Sequence, residues 1–368
     1  MHLSQIAPSI FSSLGLGTAE DTIEAGTSPM GRELLFLIDG LGADVLETFA
    51  SAIPNITQLK RHAIVDTAFP STTATSLATL TTGTFPGVHG MLGYTVQVPR
   101  SGGRILNALK WDERVDPTNW QPVHTLFERA MAEGINVSHV AAKRYENSGF
   151  TRAVFRGAEY RGANVAPDLI AHTKDALRKT PSFVYLYMNE LDVAGHSDGV
   201  GSEKWLAALA MIDLMFANLI KEMPQGTRIW LTSDHGMINV GEKIVIGDGN
   251  RLLENIATIG GEPRARHLYL SPGHDSAAAR SDVASVWQEF LGDRVDIYTR
   301  EQAVDNNLFG ELVSADSLDR MGEVIAVAQG TVVLIDPTRI DKESSMVGHH
   351  GADSDIETQV GLLTTTLN

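Results

Sequence analysis

Four short apolar runs each stop at a cluster of polar or glycine residues: "ELLFLIDG" (33–40), "INVSHVAA" (135–142), "SFVYLYMNE" (182–190) and "RIWLTSDHG" (228–236). Their length and their Leu, Ile, Val, Phe and Tyr content read as strands buried on both faces. Helical patterns lie between and around them, at Ala43–Ser51, His124–Glu133, Pro167–Arg178 and Ser202–Met223. This alternation predicts an α/β fold with a mostly parallel central sheet and helices on both faces. In such sheets, ligands collect at the carboxyl ends of the strands. Asp39 closes the first strand, Glu190 and Asp192 follow the third, and Asp234 and His235 close the fourth. The polar groups therefore fall at one edge of the expected sheet. Residues 263–336 read differently, as a small α+β insertion. The expected catalytic core is then 1–262 together with 337–368.

The stretch "FPSTTATSLATLTTGTFPGVHG" (69–90) is rich in hydroxyls and free of acids, lysines and arginines. Pro70 and Ser71 read as loop, Ala74 to Leu80 as a small-residue helix, and Gly83 and Pro86 as its end. Thr72 and Thr73 then sit where loop becomes helix. Taken alone they read as N-caps. The same position gathers free N–H groups and the positive end of the helix dipole, which suits an anion.

Four further clusters stand out: Asp39 in "LIDGLG", Asp192 and His196 in "NELDVAGHSDG", Asp234 and His235 in "TSDHGM", and His349 and His350 in "GHHGAD". Each is ordinary by itself. A strand-end Asp before Gly is often a turn residue, and a D-x-x-x-H spacing recurs by chance. Two adjacent ligands, Asp234 and His235, can meet one ion only at a sharp turn, which Gly236 permits. The chain contains no cysteine, so any metal site must be built from carboxylate and imidazole, donors that suit zinc, manganese or iron.

The net charge of −16 repels nucleic-acid polymers and anionic membranes. A phosphate substrate therefore needs a local reversal of field, which a bound divalent ion supplies. No apolar run reaches the roughly 18 residues of a membrane helix. The first residues lack the basic and apolar pattern of a signal peptide, so the expectation is a cytoplasmic protein.

Together with the threonine stretch, these clusters resemble the alkaline phosphatase superfamily, in its type I phosphodiesterase / nucleotide pyrophosphatase branch. The matching motifs run from Asp39 to His350. The branch has a Ser or Thr nucleophile nine residues before a Thr-Gly, followed by P-x-x-H-G. Here Thr82-Gly83 and "PGVHG" assign that role to Thr73. The resemblance implies two divalent ions, zinc being the usual pair. Asp192, His196 and His350 would hold one. Asp39, Asp234, His235 and the Thr73 oxygen would hold the other. His349 has no counterpart. Three carboxylates against two divalent ions leave a local excess of about one positive charge.

The implied activity is hydrolysis of small phosphodiesters or nucleotide pyrophosphates through a phosphothreonine. Two alternatives remain: a phosphomonoesterase or phosphonate hydrolase of the same superfamily, or a metal-stabilised binding protein without catalysis. Tyr94 stands where the branch carries an Asn that contacts a phosphate oxygen, and no arginine is identified that would grip a monoester. Tyr94, Trp111 and Tyr145 are candidates for an aromatic slot, and Lys110 and Lys143 for phosphate contacts.

Overall fold

The computed structural model describes all residues, 1–368. The strand Arg32–Ile38 (β1) sorts its side chains between two cores. Leu34, Phe36 and Ile38 join one apolar cluster, and Leu35 and Leu37 the other. A strand alternates its side chains face to face, so an unbroken apolar run needs cover on both sides. Burying each such side chain fully contributes roughly 1.5–3 kcal/mol. The helix Glu203–Glu222 covers one face through Leu209, Ile212, Phe216 and Leu219. The helix Thr73–Thr82 covers the other through Leu77, Ala78 and Leu80.

The remaining strands of this seven-stranded sheet are β2 (Lys60–Asp66), β3 (Asn136–Ala142), β4 (Glu159–Ala163), β5 (Ser182–Met188), β6 (Arg228–Thr232) and β7 (Gln359–Thr366). Their spatial order is β2-β7-β6-β1-β5-β3-β4. Every pairing from β6 across to β4 is parallel, while β7 runs antiparallel to both β6 and β2. The four strands expected from the apolar runs are β1, β3, β5 and β6, all inside the parallel part. The expected helix Ala43–Ser51 is instead a short α-turn, Val45–Thr48, and a 3₁₀ turn, Ala50–Ala52, broken at Phe49. No helix is long and apolar enough to cross a membrane.

A second, four-stranded antiparallel sheet takes Ile256–Glu262, Ala265–Leu270, Val324–Ala328 and Val295–Thr299, in that spatial order. Its first strand begins ahead of residue 263. The helix Ala277–Leu291 packs on it through Val283, Trp287 and Leu291. Arg264 ties this sheet to the turn that leads into β7. Its guanidinium donates to Glu357 at 2.7 and 3.1 Å, with both side chains fully buried. Glu357 also accepts the Ala352 N–H at 3.0 Å, which fixes the segment just after His350.

The second sheet also holds the loop that follows the threonine-rich helix. His267 contacts the Leu92 carbonyl at 3.0 Å, Thr95 donates its hydroxyl to the Gly261 carbonyl at 2.6 Å, and the Gln97 N–H donates to the Tyr269 hydroxyl at 2.9 Å. The insertion thus shapes one wall of the cleft at the strand ends.

Candidate functional site

Asp39 follows β1 directly, and Gly40 after it adopts φ +77°, a left-handed conformation that glycine enters without strain. This turn lets the Gly40 N–H donate to Asp234 Oδ1 at 3.3 Å. Asp234 and His235 lie just past the end of β6. Gly236 does not have a positive φ; its need is space. A Cβ there would lie 1.9 Å from the Ile356 carbonyl oxygen. Gly83 closes the threonine-rich helix in the left-handed conformation, as expected. Thr72 takes the N-cap position with extended backbone but makes no capping bond, and Thr73 is the first helical residue. The simple capping role is therefore not what these hydroxyls do.

Thr73 Oγ1 lies 3.2 Å from His235 Nε2 and 3.5 Å from Asp39 Oδ2. His235 Nε2 is also 3.3 Å from Asp39 Oδ1 and 3.6 Å from Asp234 Oδ2. Alongside, His350 Nε2 is 3.2 Å from His196 Nε2, and these nitrogens lie 3.6 and 3.4 Å from Asp192 Oδ1. The His235 and His350 rings stack at 3.6 Å and so join the two groups. The seven side chains that the resemblance assigns to the two ions meet here, from positions 39 to 350.

The arrangement makes little sense without cations. A carbonyl oxygen only accepts, so each ring nitrogen bonded to one must carry the proton. The Nδ1–H groups of His196, His235 and His350 donate to the carbonyls of Gly348, Gly236 and Ser71 at 2.8, 2.9 and 2.8 Å. In neutral imidazoles the Nε2 atoms are then bare and face carboxylate oxygens or one another, acceptor against acceptor. Asp39 Oδ1, Asp192 Oδ1 and Asp234 Oδ2 are buried with no hydrogen-bond donor. Burial, followed by repulsion from the neighbouring imidazoles of His235 and His196, pushes His350 well below its ordinary pKa, which favours the neutral imidazole a metal ion would need. Asp39 is pushed upward by burial and then by the nearby Asp234 and Asp192 charges; burial likewise pushes Asp234 upward. Backbone carbonyls that orient imidazole Nε2 lone pairs inward are the outer-shell arrangement expected of metal-binding histidines. The donor set fits two divalent ions. Asp39, Asp234 and His235 lie within 4.8 Å of one another, as do Asp192, His235 and His350.

Two cavities open on Thr73. One runs inward past Tyr145, Phe150, Phe155 and Tyr187. The Tyr187 hydroxyl donates to Asp39 Oδ2 in a short contact. The other is a cleft lined by Tyr94, His349 and His350, with Glu262 from the second sheet and Arg339 and Lys342 from the segment after it. Tyr94 and Tyr145 therefore face different cavities. Trp111 packs over Gly149, and its Nε1–H donates to the Val115 carbonyl at 2.8 Å, so it is structural. Lys110 and Lys143 are exposed and line neither cavity. His349 is buried at the cleft wall with Nε2 unpartnered, and burial lowers its pKa to about 3.

Sequence reasoning missed Tyr187, Glu262, Arg339 and Lys342. Tyr187 was read within a strand, but nothing marked which of its tyrosines faces Asp39. The other three carry no motif. Glu262 accepts the Tyr94 N–H at 2.9 Å on Oε2, while Oε1 is buried without a donor. Burial raises its pKa to about 8. Between its ordinary carboxylate value and about 8, the folded chain holds a proton that the unfolded chain releases. This group therefore makes stability fall as pH rises through that window. Glu262→Gln should flatten the decline in melting temperature of the metal-free protein between pH 5 and pH 8. An unchanged slope would mean that Glu262 does not carry that proton.

The chain matches the family model described as type I phosphodiesterase / nucleotide pyrophosphatase over residues 34–353. It is 26% identical over 226 residues to mouse ectonucleotide pyrophosphatase/phosphodiesterase family member 3, a match covering 55% of this chain and 24% of that protein. The chain thus spans about a quarter of the length of such relatives. Among solved structures, it is similar to murine ectonucleotide pyrophosphatase / phosphodiesterase 5, including an inactive threonine-to-alanine variant in complex with AMP. That likeness has a TM-score of 0.68 at 16% identity, over 90% of this chain and 87% of the other. It is also similar to phosphonoacetate hydrolase from Sinorhizobium meliloti in complex with phosphonoacetate, with a TM-score of 0.68 at 18% identity, over 92% and 90%.

Proposed function

The chain belongs to the type I phosphodiesterase / nucleotide pyrophosphatase family of the alkaline phosphatase superfamily, and from that premise we propose that it is a metal-dependent hydrolase of phosphodiester or nucleotide pyrophosphate bonds, with Thr73 as nucleophile. The observation that carries this reading is the position of the Thr73 hydroxyl. It sits on the first turn of a ten-residue helix, 3.2 Å from His235 Nε2 and 3.5 Å from Asp39.

Asp192, His196 and His350 would hold one divalent ion. Asp39, Asp234, His235 and Thr73 would hold the other, with zinc the proposed pair. When bound, the ions lower the pKa of an attached hydroxyl or water and offset the charge of the phosphoryl group. The N–H groups of Thr73 and Ala74, ahead of the first intrahelical bonds, are available to an anion at the helix start. Thr73 Oγ1 releases its proton to solvent and forms a bond to phosphorus as the bond to the leaving oxygen breaks. The leaving oxygen takes up a proton. Water then attacks the phosphothreonine from the Asp192–His196–His350 side and loses a proton to solvent, and the bond from phosphorus to Oγ1 breaks as Oγ1 takes a proton back. Small nucleotide-like substrates fit this reading, in keeping with the AMP complex of the murine relative.

Rates on bis-p-nitrophenyl phosphate and p-nitrophenyl phosphate, each with and without chelator, test it. The diester is expected to be cleaved faster, and chelation to stop both reactions. Faster monoester cleavage would replace this reading with a monoesterase. No cleavage of either by metal-loaded protein would leave a non-catalytic binding protein.

A further inference from the structure

We infer that Lys342, seated on Tyr94 and flanked by Arg339, forms a subsite for a second anionic group on the substrate, apart from the phosphorus that Thr73 attacks. The inference rests on the proposed function, because it places the subsite relative to the reacting group. The substrate class is then a phosphoryl compound that also bears a carboxylate or a further phosphate.

Lys342 and Arg339 line the same cleft as Thr73 and His350. The Lys342 ammonium lies 5.6 Å from the centre of the Tyr94 ring and 3.5 Å from its hydroxyl. This seat is a cation–π contact with a polar brace at the ring's edge. No carboxylate lies within ion-pair distance of Lys342, and the nearest to Arg339 is Asp336 at 3.8 Å. The acidic side chains nearby are otherwise engaged: Glu343 with Arg266 and the Asp336 N–H, and Glu262 Oε2 with the Tyr94 N–H. Most arginines in this acidic protein are spent in ion pairs, Arg339 with Asp336 among them; Lys342 is the cleft cation without one. The Tyr94 phenol holds the lysine in place. An unpaired ammonium on the wall of the cleft that Thr73 also lines offers a partner to a second anion on the substrate.

The test compares inhibitors of bis-p-nitrophenyl phosphate hydrolysis at saturating metal. Methylphosphonate carries one anionic group, phosphonoacetate adds a carboxylate, and methylenediphosphonate adds a second phosphoryl group. The readout is the ratio of inhibition constants in each variant divided by the same ratio in the unaltered protein, which cancels the inhibitors' different metal chelation and any change in absolute rate. The two-headed inhibitors should bind about tenfold tighter than methylphosphonate to the unaltered protein, as one charge-assisted contact provides. In Lys342→Gln that advantage should fall towards one, and Lys342→Arg should restore most of it. Whichever two-headed inhibitor loses more identifies carboxylate or phosphate as the preferred group. An advantage that survives Lys342→Gln, or is absent from the unaltered protein, overturns the subsite. If the metal-loaded protein hydrolyses nothing, the proposed function fails separately, and calorimetric titration with the same three compounds still decides the subsite.

Discussion

Thr73→Ala lowers turnover of a chromogenic phosphodiester by roughly 10⁴-fold, the scale on which removing a covalent nucleophile acts, while the metal content per chain stays close to that of the unaltered protein. The two halves of this result come from different parts of the geometry. Thr73 supplies the only hydroxyl in contact with both Asp39 and His235, so nothing replaces it in attack on phosphorus. Asp39, Asp234 and His235 remain grouped without it, so the cation position survives. Thr73→Ser keeps the oxygen and should keep most of the activity, which separates loss of the nucleophile from loss of packing. Acid quenching during turnover should trap a phosphoryl group on Thr73, read as a mass increase on the peptide that contains it. Near-normal rates in Thr73→Ala would show that water attacks directly.

The part of this site that lies at strand ends was legible in the sequence. Asp39, Asp192, Asp234 and His235 are read from the points where apolar runs stop, because a parallel strand buried on both faces leaves its signal in composition. The outer part of the sheet was not legible in that way. β2 is largely exposed, and an edge strand with mixed polarity looks like loop. β7 runs antiparallel at the same side and returns from the far end of the chain. The second shell was silent for another reason. Gly348, Gly236 and Ser71 orient the three imidazoles through backbone carbonyls, and a carbonyl has no side-chain identity to read. The cleft wall depends on long-range approach. Glu262 reaches the site on the second sheet, which Arg264 docks against Glu357, and Arg339 and Lys342 on the following segment, which Arg266 ties to that sheet through Glu343. The threonine-rich stretch was legible as a helix start; Thr72 makes no capping bond, and Thr72 and Thr73 line the cleft.

His350→Ala should reduce bound metal from about two ions per chain to about one and weaken the lost position by at least about 100-fold, since even outer-shell changes cost 10–100-fold in metal affinity. Deciding which position empties needs care, because His235 lies between the two groups. Its ring stacks on His350 at 3.6 Å, and it falls within 4.8 Å of Asp192 as well as of Asp39 and Asp234. The orientation of its nitrogens settles the expectation. His235 Nε2 points to Thr73, Asp39 and Asp234 at 3.2, 3.3 and 3.6 Å, whereas His196 and His350 share Asp192 Oδ1. His196→Ala and His350→Ala should therefore empty the same position, and His235→Ala the other. Metal titrations of the three single variants and of the His196→Ala/His350→Ala pair distinguish this. The pair should lose no more metal than either single variant, while His235→Ala combined with His350→Ala should lose both ions. If His235→Ala and His350→Ala instead empty one common position, His235 belongs with Asp192. Thr73 would then stand beside a cation held by Asp39 and Asp234 alone.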